Sequence, residues 1–403
     1  MKRVLIMILL VALKPSLTIA SGEVVTRWVE HTLQTVRHRN VPTPEAGRIY
    51  AMVTVAIYDA VNGIQVARGG GRTHALVPSQ GAPYNGQPEI AAAGAAHTVL
   101  SALVPELQDA HNAELAVQLA TYRGRPAVVE AGRRWGEQVG RQVIAMREAD
   151  GTQRALTMPA RTEQGAHRAS FDSRWRNMVP FGIASKEPYQ PLPPPAWNSP
   201  AFTEALDEVS VLGRQDCDPE RNIIAQFWLA EAGTVRETGI WLQAALAIAR
   251  QYNTVRSLPE MARLFALTGM AIADAVLVSW EAKAAHFTWR PMVAVREVDT
   301  EWTSRIGSAG ASPEYVSGTS TFGGAVSAVL EQFFRRSSLG FCFETDGAIA
   351  GPRCFGGPLE AATEAGRSRI YQGIHFRFSD EAGRRAGRAL GEAIATTRLQ
   401  LLQ

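Results

Sequence analysis

Three segments in the last third of the chain concentrate cations, hydroxyl donors and one imidazole. Lys283 and Arg290 stand seven residues apart on a pattern that reads as one helix stopping close to Pro291. At 3.6 residues per turn both fall on one face, about 10 Å apart along the axis, so two long cationic side chains lean toward a shared point. Trp280 and Phe287 share that face, which suits packing better than free solvation. Taken alone, the pair also fits a snorkelling lysine and a surface arginine. The second segment runs from Pro313 through Glu314, Tyr315 and Val316 to Ser317-Gly318-Thr319, and a helical pattern follows through Val326, Val329 and Phe333. Ser317-Gly318 then sits at a helix start, where unpaired N–H groups and the positive dipole end favour an anion. An ordinary cap at Ser317, Thr319 or Ser320 explains the same residues. The third segment, Ser368 to Phe378, supplies Arg369 and His375 in a Gly-containing turn ahead of a helix for which Ser379 is a fair cap. A lone histidine is more often structural than chemical. Brought together, however, these groups suit a compact tetrahedral oxyanion, which demands several cations and donors at once.

The elements that must position them are helices. Tyr50, Val53, Ile57, Ala60 and Val61 recur at spacings of three and four before Asn62-Gly63, a plausible C-terminal stop. Helical patterns continue over 90–104, 115–122 and 127–147, and resume from about 201, including 222–251 and 259–289. Convincing alternating strands are absent. Between about 150 and 200 the chain is polar, carries Trp175 and Trp197, and ends in Pro191, Pro193, Pro194 and Pro195. That is a long irregular connection. The expectation is an all-α protein with two helical halves, about 25–150 and 201–400, inside one domain of 21–403.

The 403 residues include 46% apolar and 20% charged side chains, which describes a soluble globular chain and excludes a disordered or multi-pass membrane protein. Met1-Lys2-Arg3, the apolar run Val4 to Leu13, and Thr18-Ile19-Ala20 read as a secretory signal peptide over 1–20, too short to span a bilayer. Removing Lys2, Arg3 and Lys14 brings the 41 basic residues level with the 38 acidic ones, so a general attraction to nucleic acid or anionic lipid is not expected. The expected location is periplasmic or secreted, with no integral anchor after processing. Of three cysteines, Cys342 and Cys354 close the shortest loop and would form the disulfide; Cys217 is left over. No CxxC or HExxH occurs.

The order Lys-x6-Arg-Pro, Pro-x-Tyr-x-Ser-Gly, Ser-Arg-x-x-x-Gly-x-His, here Lys283 to Pro291, Pro313 to Gly318 and Ser368 to His375, resembles the vanadium-dependent haloperoxidase and type 2 phosphatidic acid phosphatase superfamily. Ala51-Met52-Val53 with Tyr58 to Asn62, Phe227-Trp228 and Ala262 to Leu267 resemble its bacterial secreted haloperoxidase-like branch, extending the likeness from about 25 to 400. The resemblance implies two side-by-side four-helix bundles. It implies that Lys283, Arg290 and Arg369 grip vanadate or phosphate, that Ser317 and the Gly318 amide add hydrogen bonds, and that His375 is the axial group. In a haloperoxidase His375 would ligate vanadium, and hydrogen peroxide would oxidise halide for transfer to a small organic substrate. In an acid phosphatase His375 would instead attack a phosphoester.

One position departs from the pattern. The family normally places an acid–base histidine after Ser-Gly, and here Thr319 stands there. A threonine hydroxyl hydrogen-bonds but does not exchange protons near neutrality as imidazole does. Anion binding should survive, with proton transfer weakened or rerouted; His286, three residues beyond Lys283, is a conceivable substitute. A third reading is therefore a non-redox oxyanion-binding homologue. Asp59 and Asn62 read as helix packing or termination, His97 and His111 as satisfied helix residues, and Trp175 and Trp197 as pocket cover or packing. The sequence leaves a homodimer open.

Overall fold

The computed structural model describes residues 20–122, 124–215 and 218–402. Apart from Ala20, the expected leader lies outside the described residues, as does Cys217. Thirteen α-helices carry the described chain: α1 (Glu23–Arg39), α2 (Thr43–Ala67), α3 (Pro88–Leu103), α4 (Gln108–Thr121), α5 (Pro126–Arg147), α6 (Pro200–Leu212), α7 (Pro219–Phe227), α8 (Arg236–Gln251), α9 (Leu258–His286), α10 (Pro291–Val295), α11 (Gly318–Phe334), α12 (Pro358–Tyr371) and α13 (Arg377–Thr397). The all-α expectation holds. Two antiparallel pairs of very short strands accompany the helices, β1 (Thr157–Met158) with β2 (Phe171–Asp172), and β3 (Phe341–Phe343) with β4 (Arg353–Phe355). In the second pair Cys342 stands opposite Cys354, and the expected disulfide is formed.

The core is organised around α9. It packs on α2 from the N-terminal helices and on α11 and α13 from the C-terminal ones. Both α2 and α9 are long and apolar enough to cross a membrane, which the sequence reading had not expected of any later segment. The most apolar stretch of each is nonetheless 89% and 94% buried inside the protein. Helices apolar on every side need cover on every side, and here other helices supply it. Helices α11 and α13 pack backbone to backbone. A Cβ on Gly387 would sit 2.1 Å from the Thr321 carbonyl oxygen, so only glycine lets these backbones meet. This contact fixes the start of α11, and with it Gly318 and Thr319.

The described structure corrects several boundaries read from sequence. Helix α2 runs through Asn62-Gly63 to Ala67, because Ile64 is fully buried and extends the apolar face. Asn62 is not a stop: its amide donates to the Arg72 carbonyl and its oxygen accepts from the Arg72 N–H. Helix α13 begins at Arg377 with Phe376 as N-cap, so Ser379 is not the cap but lies inside the first turn. The stretch 149–199 is irregular, as expected, apart from β1, β2 and two short 3-10 turns.

Candidate active site

Helix α9 ends at His286, earlier than its sequence suggested, because Phe287 takes a left-handed conformation (φ 48°). Arg290 therefore does not share a helical face with Lys283. It occupies the extended N-cap position of α10 (φ −87°, ψ 155°), the backbone region that the following Pro291 favours. The two cations still meet. Lys283 reaches out from the last turn of α9, and Arg290 returns from the loop beyond it.

The segment 313–317 wraps around these residues. Thr288 receives the Glu314 N–H on its carbonyl (3.0 Å) and the Tyr315 N–H on its hydroxyl (3.0 Å). Lys283 Nζ donates to the Pro313 carbonyl at 2.6 Å and to the Glu314 carbonyl at 3.3 Å. Arg290 donates from Nε to the Ser312 carbonyl (2.7 Å), from Nη2 to Ser312 Oγ (3.0 Å), and from Nη1 to the Ile374 carbonyl (2.7 Å). The same Nη1 lies 3.0 Å from His375 Nε2. Gly310 makes room for this fork: its φ is +82°, and a Cβ there would lie 3.0 Å from Arg290 Cζ. Arg369, in the last turn of α12, donates to Gln372 Oε1 and to the Trp228 carbonyl, and its buried Nε–H has no partner among the described residues.

His375 is 5% exposed and held by Glu314, whose Oε1 lies 2.9 Å from Nδ1 and also accepts the Phe376 N–H at 3.0 Å. Burial, reinforced by Arg290, Lys283 and Arg369, drives the imidazole well below its usual proton affinity. It is therefore neutral near pH 7. With Nδ1–H donated to Glu314, the assigned tautomer places its one lone pair on Nε2, where it accepts from Arg290 Nη1 and would have to exchange that hydrogen bond for a bond to a guest. Burial raises the Glu314 carboxyl to about 7 despite its hydrogen bonds and the nearby cations. Burial likewise lowers Lys283 and takes Arg290 and Arg369 down to about 10, leaving both arginines charged at neutrality.

These groups enclose a cavity of about 520 Å³ whose walls include Lys283, Arg290, Gly318, Thr319, Arg369 and His375. Of the seven residues that the resemblance assigns to the anion site, all but one converge there. The exception is Ser317, which is fully buried behind the wall and caps α11: its Oγ accepts the Ser320 N–H at 3.3 Å and the Ser320 hydroxyl at 2.8 Å. His286 packs edge-on against Tyr315, 5.3 Å between centroids, and is not a wall residue. Trp175 lines the cavity, whereas Trp197 lies against Gly165 at the surface. His111 bonds His31 and the Val104 carbonyl, and His97 bonds Asn112, both far from the cations in the fold.

Sequence reasoning missed Glu314, Ser312 and Gly310, whose roles depend on the fold of loops rather than on any helical period, and Glu237, which also lines the cavity. A wider groove of about 940 Å³ lies elsewhere, lined by Arg27, Arg37 and Arg250. Its arginines already face Glu114, Asp346 and Glu30. The smaller cavity is the one with unspent positive charge.

Residues 263–403 match the family of the VCPO second helical-bundle domain. Over nearly its full length the chain also superposes on the crystal structure of a bacterial vanadium-dependent iodoperoxidase, with TM-score 0.81, 24% identity, and 97% of this chain and 99% of that one covered. The chain has the vanadium haloperoxidase fold. The holo form of a bacterial vanadium-dependent chloroperoxidase superposes with TM-score 0.68 at 14% identity, covering 89% of this chain and 92% of that one. Its apo form gives 0.69 at 15%, covering 88% and 92%. No match was found among curated protein sequences. The superfamily resemblance drawn from three short motifs is thus met by a likeness over the whole haloperoxidase fold, and the matched domain contains Lys283, Arg290, Ser317, Gly318, Thr319, Arg369 and His375.

Proposed function

We propose that this chain is a vanadium-dependent haloperoxidase-like enzyme that holds vanadate in the 520 Å³ cavity and oxidises halide with hydrogen peroxide, passing the oxidised halogen to a small organic substrate. The observation that carries this reading is the buried His375, oriented by Glu314 and lining one cavity with the buried Lys283, Arg290 and Arg369. A carboxylate-oriented imidazole is what a metal ligand needs. The pocket also fits the anion. The Arg369 Nε–H is buried without a partner among the described residues, Gly318 lines the cavity at the start of α11, and the cations are costly to bury unless an anion compensates them.

Vanadate, when bound, would supply Lewis-acid activation of peroxide. The protein's part is then division of labour. Arg290, tied to Ser312 and Ile374, fixes the loop and presents charge. Lys283 and Arg369 would supply positive charge to the bound anion, and the Gly318 amide would donate to it at the helix start. Phe171, Trp175, Trp280 and Phe322 furnish an apolar wall for an organic acceptor. Export to the periplasm or beyond belongs to the same proposal and is supported by the Cys342–Cys354 disulfide, which an oxidising compartment preserves.

The test is a halogenation assay with a phenolic indicator, run with and without vanadate, beside a phosphoester assay. Turnover that requires both vanadate and peroxide supports the proposal. Phosphoester cleavage inhibited by vanadate would replace it with the phosphatase reading, in which His375 Nε2 is the nucleophile. Oxyanion binding without turnover in either assay would leave a non-redox binding protein.

A further inference from the structure

We propose that Glu237 is the proton-carrying group of the anion cavity, its carboxyl sharing a proton with an oxygen of the bound oxyanion. This rests on the oxyanion reading above and assigns the proton exchange that Thr319 cannot perform. Glu237 is the second residue of α8 and lines the cavity with Lys283, Arg290 and Arg369. Its attraction opposes the loss of proton affinity that burial imposes on each of the three. Thr43 Oγ1 donates to its Oε2 at 2.6 Å, and its Oε1 has no hydrogen-bond partner among the described residues.

The other charged groups facing the cavity do not compete for this role. Asp172 is held by Arg174 at 2.6 Å and by the Leu156 and Arg174 N–H groups. Glu45 is exposed near the start of α2. Arg236, beside Glu237 on α8, donates to the Val41 carbonyl and to Asn40. His375 is neutral and engaged at both nitrogens. A carboxylate inside an anion site repels a fully deprotonated guest. With one proton between them the repulsion becomes a short, charge-assisted O–H···O bond. The step is a proton moving from a Glu237 carboxyl oxygen to an anion oxygen, or back; no other bond changes.

The experiment is calorimetric titration of the full chain with inorganic phosphate and with orthovanadate near pH 7.5, in buffers of different ionisation enthalpy, which counts protons taken up on binding. Wild type should take up close to one proton more than Glu237→Gln. Glu237→Asp should restore the uptake, and Glu237→Gln should bind the anion at least as tightly. In the vanadate-dependent assay Glu237→Gln should lose about 100-fold in kcat with little change in KM for peroxide, the scale of lost acid–base assistance. Equal proton uptake by wild type and Glu237→Gln would overturn the assignment while leaving oxyanion binding intact. Failure of wild type to bind either anion would instead overturn the reading on which it rests.

Discussion

Two kinds of buried charge occur in this molecule, and they are handled in opposite ways. Asp59 on α2 and Asp274 on α9 are buried carboxylates saturated by backbone amides. Asp59 accepts from Ala75, Leu76 and Val77 at 2.7 to 2.9 Å, and Asp274 from Phe181, Gly182 and Ile183 at 2.7 to 2.9 Å. Each pins an irregular segment to a long helix, and neither lines the anion cavity. The charged groups around His375 are as deeply buried, yet their hydrogen bonding is incomplete: the Arg369 Nε–H donor and the Glu314 Oε2 acceptor have no partner among the described residues. Burial of charge alone does not mark a functional site. Burial with unspent donors around a cavity does.

Breaking the structural half of this comparison should give the largest effect. Asp274→Ala strands three buried amides, each costing about 1–3 kcal/mol, so the variant should lose about 4 kcal/mol or more of unfolding free energy in denaturant melts. A loss under about 1 kcal/mol would mean that the 181–183 segment does not depend on the carboxylate.

The same carboxyl makes a prediction about pH. Burial raises Asp274 from 3.8 to about 6 against the pull of its three amides and Arg147. The folded state therefore holds a proton that the unfolded state has released. The stability this contributes is fully present below 3.8 and is lost as pH rises through about 6. The gap in unfolding free energy between wild type and Asp274→Asn should narrow from pH 4 to pH 7, by at most about 3 kcal/mol. A gap that widens with pH would reverse the sign of the argument.

On the functional side, Arg290→Ala removes a fork that both presents charge and ties the Ser312 loop to Ile374. Affinity for phosphate and vanadate should fall about 100-fold, read by calorimetry. An unchanged Kd would place the bound anion away from Arg290.

The sequence disclosed the site more completely than the geometry that builds it. Helical periodicity identified the α-helical class, and the motif order brought Lys283, Arg290, Arg369 and His375 to one cavity. The route by which Arg290 arrives was not visible. A left-handed residue at Phe287 breaks the helix four residues before Pro291 would, and nothing about a phenylalanine announces that conformation. Ser317 illustrates a different limit. Cap and anion donor require the same residue at the same position, and only coordinates show its Oγ turned back to Ser320. Glu314 and Glu237 carried no periodic signal at all: a carboxylate acquires its part from what folds against it, here His375 in one case and Thr43 with three cations in the other.

The smallest expected effect is the most discriminating. Thr319 is the second residue of α11, 7% exposed, on the cavity wall. An imidazole there would feel the positive end of the helix and the cations around the cavity, which lower its proton affinity, and the bound anion, which raises it back toward the range where it exchanges protons. Thr319→His should therefore raise vanadate-dependent kcat by about tenfold, toward the low end of what acid–base assistance supplies, while the Kd for vanadate stays within about threefold. If affinity collapses and turnover is flat, the residue sits against the anion as a space-filling neighbour rather than at the proton-transfer position. Placed in a Glu237→Gln background, the same substitution should recover turnover, because either group then moves the proton. Recovery in the double variant without gain in the single one would mean that Glu237 already saturates proton transfer in the native protein.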